Sequence, residues 1–218
     1  MNVLKVDYEK KMQEILCLVK NDTSKKSLLL HSCCAPCSAA VIEFLKEYFD
    51  ITIFFYNPNI TDGSEYIKRE IEQEEYLTKN CLNIKFVKGN YDVQNDFYSI
   101  VAGYEKSPEG GERCSLCYEK RMLETAEFAK KENYDYFATV LSISPLKNSK
   151  KLNEIGEELE KKIGIKYLYA DFKKKGRYQR GIEISKDNNL YRQDYCGCIF
   201  SKEESYNRKT KKIDNKEV

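Results

Sequence analysis

The sequence has no uninterrupted apolar run at its start, where MNVLKVDYEKKMQEILCLVK carries charge throughout. That pattern excludes a signal peptide or membrane span there and makes a cytoplasmic location, with no membrane partner, the expectation. Internal repeats and low-complexity tracts are lacking too, so a chain of 218 residues is expected to form one core. There is no tryptophan and only one histidine, His31, which stands at the end of an apolar run and reads first as a structural residue. Its neighbourhood, beside a cysteine-rich turn, also allows it a role as hydrogen-bond donor or proton carrier.

What the chain has is ordinary bulk composition and unusual cysteines. At 41% hydrophobic and 33% charged residues it is too apolar for a disordered chain. The net charge of +2 hides an asymmetry: residues 1–145 sum to about −5 and residues 146–218 to about +7. A basic half suits a polyanionic partner approached by one face, and equally suits a solvated lysine-rich surface.

Apolar periodicity predicts a helix over 8–20, with Met12, Ile15, Leu16 and Val19 on one face, and strands over 28–31, 51–56, 84–87, 136–141 and 167–170. Helices are expected over 39–48, 64–79, 96–102, 117–131 and 148–163. This alternation predicts an α/β fold with a mostly parallel sheet covered by helices on both faces, since parallel strands need crossover connections. Residues 1–200 read as a single α/β domain with an N-terminal helix, and 201–218 as a polar tail whose composition predicts partial disorder. In such sheets ligands sit beyond the carboxyl ends of the strands, where the turn SCCAPCS directly follows the first strand.

Seven of the nine cysteines fall into three clusters: Cys33-Cys34-x-x-Cys37, Cys114-x-x-Cys117 and Cys196-Gly197-Cys198. In a cytosolic chain such thiols are metal ligands or redox groups rather than structural staples. Two short turns supply four sulfurs, enough for tetrahedral zinc or a four-iron cluster. A sulfur site at a strand-to-helix turn in the crevice of the sheet favours redox work, hence an iron-sulfur cluster over structural zinc or a bare dithiol. Spacing does not decide which sulfurs bind, because Cys37 competes with Cys33 and Cys34; its bland alternative is a small buried residue. Pro36 suits a first helical turn and would put Cys37 just inside the helix. Cys196 and Cys198 can close a strained, labile disulfide or clamp a second metal. Cys17 and Cys81 read as packing residues.

The segments HSCCAPCS (31–38), FYNPNI (55–60), PEGGERCSLCYEKR (108–121), SISPLKN (142–148), DFKKKG (171–176) and LYRQDYCGC (190–198) resemble, in order, those of the cobalamin-independent epoxyqueuosine reductases. The resemblance runs over roughly residues 28–200. It implies a fold related to the nucleotide-binding domain of the ATP pyrophosphatases, with the phosphate loop replaced by the double-cysteine turn. It further implies a [4Fe-4S] cluster on Cys33, Cys34, Cys114 and Cys117, a redox-active pair at Cys196 and Cys198, an additional mononuclear iron, and no cobalamin. Asp92 is a candidate carboxylate for that iron, and Phe97 and Tyr98 stand where the family usually has a tryptophan.

The implied reaction is the two-electron deoxygenation of epoxyqueuosine at the tRNA wobble position, with electrons from a separate donor. Candidate tRNA contacts are Tyr118, Arg121, Lys173, Lys174, Lys175, Arg177, Tyr178, Arg180, Tyr191 and Arg192, cations interleaved with aromatics. The rival class is a non-catalytic zinc-binding module that grips RNA. A sulfur transferase on the same scaffold would need an SGGxDS-type ATP loop, and HSCCAPCS lacks those glycines.

Overall fold

The computed structural model describes residues 6–80 and 82–214, so Cys81 lies outside the described residues. Its centre is a five-stranded, all-parallel sheet flanked by helices, with strand order β3-β2-β1-β4-β5. The strands are β1 (Lys26–His31), β2 (Phe49–Phe55), β3 (Lys85–Lys88), β4 (Tyr136–Thr139) and β5 (Lys166–Tyr167). In β1, Leu28, Leu29 and Leu30 are all fully buried. A central parallel strand covered on both faces has no solvent side, so it reads as a continuous apolar run rather than an alternation.

The helices are α1 (Tyr8–Lys20), α2 (Ala35–Leu45), α3 (Gly63–Lys79), the short α4 (Ser99–Val101), α5 (Glu112–Lys131), α6 (Ser149–Leu159), α7 (Arg177–Asp187) and α8 (Ile199–Asp214). Asp7, Asp62 and Asn148 cap α1, α3 and α6 by accepting backbone N–H bonds. Helix α2 packs on α7, and α5 on α6. Gly156 of α6 is a required small residue: a Cβ there would lie 2.2 Å from the Tyr167 ring.

The strand order reverses direction between β1 and β4, so the carboxyl ends of these two neighbours open the crevice in which such sheets bind ligands. Immediately beyond them lie Ser32 to Cys34 on one side and the 3-10 turn Val140–Ile143 on the other.

Several boundaries differ from the sequence expectation, each for a local reason. Helix α2 begins at Ala35, so Cys37 is within its first turn, with Pro36 in the opening turn as expected. Helix α5 begins at Glu112 rather than 117, which puts Cys114 and Cys117 on successive turns of one helix. The fifth strand stops at Tyr167 because the Asn153 side chain takes both backbone groups of Ala170, donating to its carbonyl and accepting from its N–H, each at 2.9 Å.

Two helices carry no apolar stripe that periodicity detects. Helix α7 buries Gly181, Ile184 and Ser185 against α2, with Gly181 close enough that a Cβ would sit 3.7 Å from Ala40. The segment expected to be a polar tail forms α8, held by buried Ser201 and Ser205 and by an Arg113–Glu204 ion pair of 2.9 Å. Cys17, expected to pack, is exposed, because it lies off the face made by Met12, Leu16 and Val19.

Candidate metal centre and active site

The double-cysteine turn is held from below by polar side chains. Ser32 donates from its N–H to the Phe54 carbonyl at 2.9 Å and from its hydroxyl to Gln73 Oε1 at 2.7 Å. Ser38 donates to the same oxygen at 2.9 Å, so one amide of α3 fixes both ends of the turn. Cys34, in extended conformation at the N-cap of α2, starts the helix. The sulfurs of Cys33, Cys34 and Cys37 then all lie within 4.8 Å of one another, with Cys33 and Cys34 3.8 Å apart.

Three thiols so close share charge unequally. Donation from Cys34 and Cys37 holds the Cys33 thiol well below its usual range. Burial, then the hydrogen bond with Cys33, pushes Cys34 up. Cys37 rises to about 12, chiefly through its hydrogen bond with Cys33. The set therefore favours one thiolate, on Cys33, with the other two thiols as its donors; the thiolate is the form that binds metal.

His31 is not part of this chemistry. Its Nδ1 lies 2.9 Å from the Thr139 hydroxyl and its Nε2 3.1 Å from the Tyr56 carbonyl, so Nε2 donates and Nδ1 accepts. Both ring nitrogens are engaged, and complete burial, assisted by Arg121, lowers its pKa to about 3. The proton-carrier role is therefore replaced by a neutral strut between β1, β2 and β4.

The second cysteine cluster comes from the N-terminal half of α5. Cys114 Sγ accepts the Gly110 N–H at 3.2 Å, and burial raises its pKa. Cys117 is buried, and its pKa is pushed up to about 12, first by burial and then by the nearby Cys196, Cys198 and Cys114 sulfurs, against the lowering by Arg121. Four residues on, Arg121 places Nη1 4.0 Å from Cys117 Sγ and donates from Nη2 to Asn57 Oδ1 at 2.7 Å. Asn57 in turn donates to the Ser32 carbonyl at 2.9 Å, which joins α5 to the double-cysteine turn. Burial works against the Arg121 charge, but Cys117, Cys196 and Cys33 hold its pKa above the usual value.

The third cluster arrives on the irregular segment before α8. Gly197 has φ +131° and a Cβ there would lie 2.9 Å from Ile60, so only glycine passes at this point. Its carbonyl accepts the Thr61 N–H at 3.2 Å. Cys198 accepts the Ser201 N–H at the start of α8 and shares a buried apolar cluster with Cys117, Phe97 and Val101. Phe97, which with Tyr98 stands where a tryptophan is expected, thus shares a cluster with one cysteine of each pair. Cys196 lines a cleft together with Cys33 and Cys37, and both Cys196 and Cys198 are free thiols here.

Lys147 and Arg192 bring positive charge to that cleft, Tyr178 an aromatic ring, and Ile143 and Leu146 apolar surface. The sulfurs of Cys196, Cys33 and Cys37 keep Lys147 protonated against the opposing effect of burial. An all-sulfur donor set flanked by buried Arg121 and half-buried Lys147 fits a metal of the soft class, an iron-sulfur cluster or zinc.

Of the other residues predicted to meet tRNA, most are placed elsewhere. Tyr118 and Arg121 are buried. Arg177 is buried and paired with Glu9 of α1, and Lys174 bonds Asp7 at 3.0 Å. Lys173 bonds Asp171 at 2.9 Å, and Arg180 bonds Glu43 at 2.8 and 2.9 Å. Of these cations Lys174 and Arg180 are exposed despite their ion pairs, Lys175 is exposed, and Tyr191 is half-buried under Lys68. Asp92 accepts from Asn95 through its backbone N–H (3.0 Å) and its side chain (2.7 Å), which closes its own turn and lowers its pKa. It is not among the residues that line the cleft.

Periodicity and motif spacing did not single out Lys147, Arg69, Gln73 or Asn57. Lys147 had a usable signal, its place in the SISPLKN segment that follows β4. Asn57 had one too, in the FYNPNI segment, whereas Arg69 and Gln73 look like ordinary polar residues until their distant partners are seen.

Among the described residues, no helix is long and apolar enough to cross a membrane. The family model described as "Epoxyqueuosine reductase QueH" matches residues 28–204. A protein of that name from Staphylococcus epidermidis is 39% identical over 203 residues, covering 90% of this chain and 85% of its own length. Its namesake from Streptococcus pyogenes is 37% identical, covering 90% and 78%, and the one from Thermotoga maritima 37% identical, covering 80% and 90%. The family match spans every cysteine of the three clusters, and the chain belongs to the epoxyqueuosine reductase QueH family.

Proposed function

We propose that the protein is an oxidoreductase that converts epoxyqueuosine to queuosine at the wobble position of tRNA. The observation that supports this is that Cys196 shares a cleft with Cys33 and Cys37 while Cys198 shares an apolar cluster with Cys117, the cleft having cationic, aromatic and apolar walls. Loss of the epoxide oxygen breaks two C–O bonds, forms a C=C bond, and consumes two electrons and two protons, with water as the other product. Oxidation of a Cys196–Cys198 dithiol to its disulfide releases two electrons and two protons, so this pair matches the stoichiometry. A separate electron donor then restores the dithiol.

Cys33, Cys34, Cys114 and Cys117 would hold a [4Fe-4S] cluster, and Cys37, the third sulfur of the turn, remains in the cleft wall. When bound, the cluster supplies single electrons, an additional mononuclear iron supplies Lewis acidity, and cobalamin is not required. Arg121 and Lys147 offset the negative charge that thiolates and inorganic sulfur bring into a buried site. The base enters beside Tyr178 and Arg192, which offer a stacking face and a planar cation for an unstacked anticodon base. A cytoplasmic setting, where tRNA is modified and thiols stay reduced, fits this chemistry.

The test is an anaerobic assay with epoxyqueuosine-containing tRNA and dithionite, followed by mass analysis of the nucleosides. Loss of one oxygen from the modified base is expected; unchanged nucleoside with cluster-loaded protein would overturn the assignment.

A further inference from the structure

The segment that carries Cys196 has no strand or helix to hold it, so its backbone groups must find side-chain partners. They find them on one face of α3. Glu72 Oε1 accepts the Tyr191 N–H at 2.5 Å, Glu65 Oε2 accepts the Tyr191 hydroxyl at 3.3 Å, and Lys68 Nζ lies 3.2 Å from the Tyr191 ring centroid. Arg69 completes the row, donating from Nη1 to the Cys196 carbonyl at 3.0 Å, with its guanidinium 5.4 Å from the Tyr195 ring. Positions 65, 68, 69 and 72 share one side of a helix, so this is a continuous grip along residues 191–196.

Arg69 is the costly member of the row. It is 1% exposed, paired with Glu65 at 2.6 Å, and lines the same cleft as Cys33 and Cys196. A buried ion pair adds little stability over an apolar pair of the same shape, so its use here calls for a geometric reason. The remaining donor supplies one: it reaches the peptide carbonyl of the cysteine that faces the cleft. Gln73, four residues on in α3, holds the double-cysteine turn through Ser32 and Ser38. Side chains one turn apart on one helix therefore grip the two sulfur-bearing segments.

We infer that Arg69 is a positioning residue that fixes the Cys196 backbone relative to the Cys33–Cys34 turn, with Glu65 holding its guanidinium in place. The inference rests on the reading of Cys196 and Cys198 as the redox pair, and it deepens that reading by naming what sets the pair's place. Without Arg69 the segment keeps its Tyr191 anchor, the Ser205 bond to the Asp194 carbonyl and the Thr61 bond to the Gly197 carbonyl, but loses the side-chain hydrogen bond at the Cys196 peptide itself.

The test uses cluster-loaded, reduced protein under anaerobic conditions and iodoacetamide, with each cysteine followed by peptide mass spectrometry and the exposed Cys17 as internal standard. In Arg69→Met, and in Glu65→Met/Arg69→Met, which leaves no unpaired buried charge, the Cys196-to-Cys17 rate ratio should rise about tenfold. Arg69→Lys, which keeps one donor, should recover part of the difference. Cys34 should remain slow, and kcat should fall with KM for tRNA unchanged. An unchanged Cys196 ratio in both Met variants would overturn the inference. So would an equal rise at Cys34, which would mean general loosening. The ratio is read without substrate, so failure of the wild-type protein to deoxygenate tRNA would count against the proposed reaction and not against this role.

Discussion

Arg121 and Asn57 are 64 residues apart in the chain and joined by a 2.7 Å hydrogen bond inside the protein. That bond sits between a helix that carries two cysteines and a strand-end turn that carries three, because Asn57 also donates to Ser32. Replacing Arg121 with methionine leaves the Asn57 oxygen buried and unpaired, which should cost about 1–3 kcal/mol. Urea denaturation of metal-free protein measures it, and an unchanged midpoint would show that the tie contributes nothing.

The cysteines differ in what their loss should do. Cys114→Ala is expected to abolish the visible absorbance of the anaerobically loaded protein and its turnover, since it removes a ligand. Cys37→Ala should retain the absorbance, because the proposed ligand set is complete without that thiol. Iron analysis on both variants separates the cases; full iron content in Cys114→Ala would count against this ligand set.

Gly197→Ala tests the turn between the redox cysteines. Its backbone occupies a conformation that L residues rarely adopt, and the added Cβ meets Ile60 at 2.9 Å. Strain of about 1–3 kcal/mol falls on this one loop. Visible absorbance should survive, whereas the rate of Cys196–Cys198 disulfide formation with diamide should drop; an unchanged rate would contradict the geometry.

Gly156→Ala tests the fold away from the site. Its Cβ would lie 2.2 Å from the Tyr167 ring, so α6 and β5 must separate, at about 1–3 kcal/mol. Gly63→Ala, where nothing lies within 4 Å, is the matched control. Thermal melting of the two should differ, with only Gly156→Ala lowered.

The sheet and the cysteine clusters were readable from the chain because both are local patterns. Leu28 to Leu30 form an apolar run, and Cys33, Cys34 and Cys37 fall within five residues. The supports of the site were not readable. Arg69 meets Cys196 across 127 positions and Gln73 meets Ser32 across 41, and neither spacing leaves a trace in composition or periodicity. Helix α7 escaped for another reason: it packs through Gly181 and Ser185, so its buried face looks polar. The basic residues of the C-terminal half showed their charge but not their partners, and the partners proved to be Glu9, Asp7, Asp171 and Glu43.

The central claim is that Cys33 and Cys34 share one inorganic centre with Cys114 and Cys117. A crystal structure of anaerobically loaded protein, with anomalous data at the iron edge, tests it most directly. The account predicts a compact group of irons among the four sulfurs, each sulfur at about 2.3 Å from an iron of its own, with the additional iron as a separate peak. Iron on the first turn alone, with the Cys114 and Cys117 sulfurs unligated, would contradict it.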